Sequence, residues 1–112
     1  MAKMPEIVNL TPHKLDIELV DGSFLQIPPS GKIARYSSTV ASRIFRIGKI
    51  PIDKVVFGDI VGLPDPRPNT IYIVSLIVLQ ELQGERRDVY APGELIRDQW
   101  GRTTGCRGLK QI

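Results

Sequence analysis

The chain's single histidine and single cysteine both lie inside polar clusters near its two ends: Asn9-Leu10-Thr11-Pro12-His13 first, then Arg86-Arg87-Asp88 through Gly105-Cys106-Arg107-Gly108. Residues of these types fill a core poorly and contact a ligand well. His13 is the one side chain whose ordinary pKa falls near neutrality, so general acid or base work would fall to it. Pro12 blocks a helix and fixes an extended or turned backbone, which holds Thr11 and His13 at the start of the first long strand. The plainer alternative is that Asn9 and Thr11 bond local backbone groups while His13 meets a nearby carbonyl.

The second cluster is rich in guanidinium groups, whose planar paired donors suit carboxylates and phosphates. Arg87, Arg97 and Arg107 converging on one place would bind an anion, and Gly105 and Gly108 would let the backbone approach it closely. Internal pairing competes with that reading, Arg87 with Asp98 or Arg97 with Asp88. The candidate ligand-binding set is therefore Asn9, Thr11, His13, Arg87, Asp88, Arg97 and Arg107. A metal site needs several ligands at recognisable spacing, and one His with one distant Cys is too few, so neither metal nor cofactor is expected. A Cys106–His13 nucleophilic pair would need the chain ends to meet and the thiol pKa to fall, for which only Arg107 offers a route. There is no glycine-rich phosphate loop, no Gly-x-Ser-x-Gly and no pair of carboxylates in helical register, and no residue is assigned a catalytic role.

The elements that must carry these residues read mostly as strands. Lys14 to Val20 alternates, with Leu15, Ile17 and Leu19 on one side, and Asp21-Gly22-Ser23 leads into a second strand, Phe24 to Ile27. Taking those three residues as the loop sets Leu19 opposite Leu25 and Ile17 opposite Ile27, whereas a two-residue Asp-Gly loop would set Gln26 opposite Ile17. Pro28-Pro29-Ser30-Gly31 is a turn by composition, followed by a short strand, Lys32 to Tyr36. Ser37 to Gly58 is rich in β-branched and aromatic residues and reads as one or two strands joined by a loose turn. Leu63-Pro64-Asp65-Pro66-Arg67-Pro68-Asn69 is a stiff surface connection. Ile71 to Val74 reads as a buried strand, after which Ser75 caps one short helix, Leu76 to Gln83, in which Leu76, Leu79 and Leu82 recur at three-residue spacing before Gly84 stops it. Pro92-Gly93 punctuates the last third. Glu94 to Arg97 and Arg102 to Arg107 then form a hairpin about Asp98-Gln99-Trp100-Gly101, with Trp100 either folded back or facing a partner. The expected fold is mainly β (α+β): a small antiparallel sandwich or partly closed barrel with one short helix.

Composition bounds the class. At 112 residues with 42% hydrophobic residues, one domain spanning 1–112 can bury a core without staples. One cysteine makes no internal disulfide, and Met-Ala-Lys-Met-Pro-Glu at the start lacks the pattern of a secretion signal, so cytoplasm is the expected compartment. The longest apolar run, Ile71 to Leu79, is about half of the roughly 20 residues a spanning helix needs. The net charge of +3 is a weak argument for nucleic acid. Lys32, Arg35, Arg43, Arg46, Lys49 and Lys54 nevertheless share one stretch with a single acid, Asp53, which is either a solvated face or a surface for an acidic partner.

The chain resembles a family of small uncharacterised proteins encoded by bacteriophages, prophages and some bacterial chromosomes. The likeness rests on Asn9-Leu10-Thr11-Pro12-His13, Pro29-Ser30-Gly31, Gly62-Leu63-Pro64-Asp65-Pro66, Tyr72-Ile73-Val74-Ser75, Arg87-Asp88, Pro92-Gly93, Arg97-Asp98, Gly101-Arg102 and Gly105-Cys106-Arg107-Gly108-Leu109, and so runs through nearly the whole chain. Ile44 to Ile52 departs from it by being more basic and apolar. By analogy, the resemblance implies a non-enzymatic binding protein made in the infected cell. Such a protein would capture a small, nucleotide-like anion or a host protein through His13, Arg87, Arg97 and Arg107, and could counter host defence. Two alternatives stand beside it: a virion structural or assembly component, with Trp100 and strand edges buried between subunits, and a small nucleotide hydrolase using His13. A small β domain with open strand edges is also a candidate homo-oligomer.

Overall fold

The computed structural model describes residues 4–112, with backbone alone at 38–45 and 55–57. Part of the N-terminal stretch that carries no secretion pattern, residues 1–3, lies outside the described residues, and so does the side chain of Arg43. Eight strands and one helix follow in the order β1 (Glu6–Asn9), β2 (Leu15–Glu18), β3 (Phe24–Ile27), β4 (Arg35–Ile47), β5 (Ile50–Val61), β6 (Thr70–Ile73), α1 (Leu76–Leu82), β7 (Val89–Arg97) and β8 (Thr103–Lys110). Six strands form a nearly closed, barrel-like sheet in the order β1-β6-β7-β8-β2-β3, while β4 and β5 form a separate two-stranded arm. The fold is thus mainly β, a partly closed barrel with one short helix. Strand directions are mixed rather than antiparallel throughout: β1–β6, β6–β7 and β8–β2 are parallel, and β7–β8 and β2–β3 antiparallel. Tight turns create the antiparallel pairs, whereas the parallel pairs join segments far apart in sequence and leave no local turn signal.

Two apolar clusters sit on opposite faces of this sheet. Period-two alternation sends Val8, Leu10, Tyr72, Val74, Val89 and Ala91 to the face that α1 covers with Val78, Leu79 and Leu82. Ile7, Leu15, Ile17, Ile27, Ile73, Cys106 and Leu109 line the other face, inside the barrel. Burial on both faces explains the unbroken apolar run at β6. Ser75 caps α1, its hydroxyl accepting from the Val78 N–H, and Gln83 ends it in the left-handed conformation one residue before the expected Gly84. The buried stripe runs through Val78 and Leu79, and Leu76 is exposed at the N-terminal end.

Two local expectations are corrected. The β2–β3 loop has three residues, but they are Val20-Asp21-Gly22, with Ile17 opposite Leu25 and Leu15 opposite Ile27. The Leu19 N–H bonds the Ser23 carbonyl and the Gly22 N–H bonds the Leu19 carbonyl, which places Gly22 (φ 86°) at the left-handed third position that such loops require. Pro92-Gly93 lies within β7 rather than at a turn. Pro92 follows the last β6–β7 bond, from the Val74 N–H to the Tyr90 carbonyl, and, having no N–H to continue the ladder, ends it there. A Cβ at Gly93 would collide with the Arg107 carbonyl, so only glycine permits this approach of β7 to β8. Gly93→Ala should lower stability by about 1–3 kcal/mol, read as a lower urea midpoint at unchanged m-value; an unaltered midpoint would show that the two strands can part there.

Candidate functional site

The Asn9 cluster is built inward first. The Asn9 side chain is 1% exposed and all four of its hydrogen-bonding positions are used. Its Nδ2 donates to the His13 carbonyl (2.8 Å) and the Ile27 carbonyl (3.2 Å), and its Oδ1 accepts from the Thr11 N–H (2.9 Å) and Thr11 Oγ1 (2.6 Å). Asn9 and Thr11 therefore have a structural role, bonding local backbone as the plainer reading expects. The His13 main chain is held by this network while its imidazole is exposed.

Residues 11–16 then form one wall of a cleft of about 840 Å³. Ser75 and Leu76, at the junction of β6 and α1, close one side, and Pro92, Gly93, Leu95, Thr103 to Cys106 and Lys110 of the β7–β8 ladder form the rest. The two polar clusters from the chain ends thus meet. They do so through Thr11, His13, Gly105 and Cys106, and the arginines are elsewhere. Lys14 and Lys110 supply the cleft's full charges on the positive side and Asp16 the negative one. The Asp16 Oδ1 is buried without a hydrogen-bond partner among the described residues. Gly105 sits against Asp16, where a Cβ would come within 2.7 Å of the Asp16 carbonyl, so β8 and β2 also approach closely only through glycine.

Cys106 is buried in the barrel-side cluster. Burial pushes its thiol pKa up, assisted by the Asp16 charge and opposed by a hydrogen bond from the Gly93 backbone. That is the reverse of what a Cys–His nucleophile needs. Among the described residues no group of three His, Cys, Asp or Glu could hold a metal ion.

The remaining candidate residues do not line the cleft. Asp88 pairs with its neighbour Arg86 rather than with Arg97, in a two-pronged contact at 2.9 Å. Arg86 also donates to the Pro64 carbonyl and lies 6.0 Å from the Tyr72 ring centroid. Asp98 pairs with Arg102 (3.0 Å) rather than with Arg87. Arg97 donates to the Gly101 carbonyl and Thr103 Oγ1, fastening the hairpin. Arg107 faces Glu94 across the β7–β8 ladder at 3.4 Å. Arg87 is exposed, and its carbonyl accepts from the Gln111 side chain. Trp100 is 70% exposed at the turn tip, with the Arg102 guanidinium 5.0 Å from its ring centroid. Lys14, Asp16 and Lys110 escaped the sequence reading, because Lys14 and Asp16 look like ordinary polar positions on an alternating strand and Lys110 lies beyond the strand expected to end at Arg107, whereas β8 runs to Lys110.

Compared with protein-family models, curated proteins and solved structures, the chain matches none. Among the described residues no helix is long and apolar enough to cross a membrane.

Asn9→Ala should cost about 3 kcal/mol, because it strands buried carbonyls and an N–H together; a urea midpoint within error of the parent would refute its structural role. The Asp88 carboxyl is held below its ordinary pKa by the hydrogen bonds from Arg86, with burial opposing. The resulting stabilisation is complete above the unfolded-state value of 3.8 and is lost as pH falls through the lower folded value. Asp88→Asn should therefore lower stability at neutral pH and flatten the acid limb of a stability-versus-pH curve below 3.8.

Proposed function

We propose that this protein is a non-enzymatic binding protein that captures a small anionic, nucleotide-sized ligand in the cleft between residues 11–16 and the β7–β8 ladder. The observation that carries this is the convergence of polar segments from both chain ends on one cavity of about 840 Å³, within the usual size range of small-molecule sites. Lys14, Lys110 and His13 offer donors to an anion. The buried, unpartnered Asp16 Oδ1 is suited by a hydroxyl or N–H on the same ligand, since leaving such an acceptor bare is costly. Phosphate joined to a sugar or base combines both features. Capture rather than turnover is favoured because burial keeps the neighbouring thiol protonated, and the His13 side chain has no hydrogen-bond partner to orient it among the described residues. The resemblance to phage and prophage proteins would place this capture in the cytoplasm of the infected cell, with interference in a host defence as its use.

Native mass spectra of protein purified from phage-carrying cells should show a discrete excess of nucleotide size that denaturation removes. A clean ligand-free mass would overturn the reading in favour of a host-protein partner. With the ligand in hand, Lys14→Ala and Lys110→Ala should each weaken binding roughly tenfold, the scale of one lost charge-assisted hydrogen bond. Arg87→Ala, Arg97→Ala and Arg107→Ala should leave affinity unchanged in the same titration.

A further inference from the structure

The β4–β5 arm takes no part in the cleft. Its base is fastened to the barrel by the Tyr36 hydroxyl, which donates to the Ile77 carbonyl (3.1 Å), and by Ile60 and Leu63 packed on the helix-side core. Beyond that base it is a two-stranded ribbon, its strands 13 and 12 residues long and joined by Gly48-Lys49, and among the described residues it pairs with no third strand. The result is an elongated molecule, 61 × 39 × 25 Å, with a radius of gyration of 17.3 Å against about 13 Å for a compact chain of this length.

Charge is divided just as unevenly. Residues 32–61 hold six of the fifteen Lys and Arg but two of the twelve Asp and Glu, a net +4, which leaves −1 for the rest of the chain. Arg35, Arg46, Lys49 and Lys54 are all exposed along it. At its tip Ile47 and Ile50 face each other across the turn, each 61% exposed, followed by Pro51 opposite Arg46.

A two-stranded ribbon is marginal alone in water, and an exposed apolar pair at its end adds to the cost, so a partner is called for. A second copy of the arm is disfavoured by repulsion, since residues 35–61 hold five Lys and Arg against two Asp and Glu, a net +3. The partner must be acidic and elongated, because the cations are spread along a ribbon of about 40 Å at 3.4 Å per residue. One turn of duplex DNA is about 34 Å, its grooves admit a two-stranded ribbon, and apolar wedges at the tips of basic elements insert at base steps. We propose that the β4–β5 arm is a DNA-binding ribbon: Arg35, Arg46, Lys49 and Lys54 meet phosphates along a groove, and Ile47 and Ile50 pack at a base step. Duplex RNA fits less well, since its major groove is deep and narrow.

The test is fluorescence anisotropy of a labelled 20-base-pair DNA duplex with the full chain between 50 and 200 mM salt. Four phosphate contacts predict a loss of about 10²-fold in affinity over that range. Arg46→Glu with Lys49→Glu should abolish binding, with the thermal melt showing that the barrel still folds. Ile47→Ser with Ile50→Ser should weaken binding while keeping the salt slope, and should remove the fluorescence rise of a 2-aminopurine placed at the contacted step. Lack of binding at 50 mM salt would overturn the proposal. So would equal binding to duplex RNA or displacement by polyglutamate as effective as by DNA, which would mark a generic polyanion surface, and so would a concentration-dependent dimer lost in the tip variant without DNA binding.

Discussion

The barrel depends on one buried amide. A six-stranded sheet ordered β1-β6-β7-β8-β2-β3 leaves β1 and β3 as its edges, and these must be reconciled if the sheet is to close. Among the described residues no β1–β3 ladder does this. Instead Asn9 Nδ2 reaches the Ile27 carbonyl at the end of β3, while the Asn9 and Leu10 carbonyls accept from the N–H groups of Ser30 and Ala34 in the segment that returns from β3. The same amide turns its other proton to the His13 carbonyl and its oxygen to Thr11. Each bond is worth about 1 kcal/mol net, but leaving the buried groups unmatched costs more, which makes the arrangement all-or-none.

That closure also sets the cleft. The chain leaves β1 at Asn9 and re-enters the sheet in β2 only at Leu15, on the far side of β8. The intervening residues must cross the barrel end, and the Asn9 network fixes where they cross. Thr11 is drawn inward and His13 and Lys14 are left outward against the β7–β8 ladder, where Gly93 and Gly105 remove the side chains that would keep the strands apart. One segment therefore makes both the barrel's closure and a wall of the cleft.

The local parts of this arrangement are legible in the sequence. Ser75 announces α1, Gly22 and Gly101 announce the hairpins, and the three prolines at 64, 66 and 68 announce a connection, because each acts through its own backbone. The parallel pairs are not legible, since β1–β6 and β8–β2 are decided by packing on both faces across long separations. The arginines mislead for a related reason. A guanidinium two or four residues from a carboxylate, as in Arg86–Asp88 and Arg102–Asp98, meets it at little cost in loop entropy, and these near pairings prevailed over the distant ones that the sequence suggested. Asn9 looked like a ligand contact because a buried, fully satisfied amide and an exposed, waiting one have the same letter.

The two surfaces are independent in electrostatic terms. At physiological salt an exposed charge is screened over about 8 Å, whereas the arm's tip lies some 40 Å of strand from its base. The cations at Arg46 and Lys49 therefore contribute nothing to the field in the cleft, and the chain's net +3 describes neither region. If the cleft holds an anion as proposed, Lys14, Lys110 and His13 would meet it beside the hydroxyls of Ser75, Thr103 and Thr104, set against Asp16, and its selectivity would arise from geometry and from the unpartnered carboxylate oxygen rather than from bulk charge. In the role proposed for it, the arm would work the opposite way, with dispersed charges and little built shape, as suits a regular polyanion.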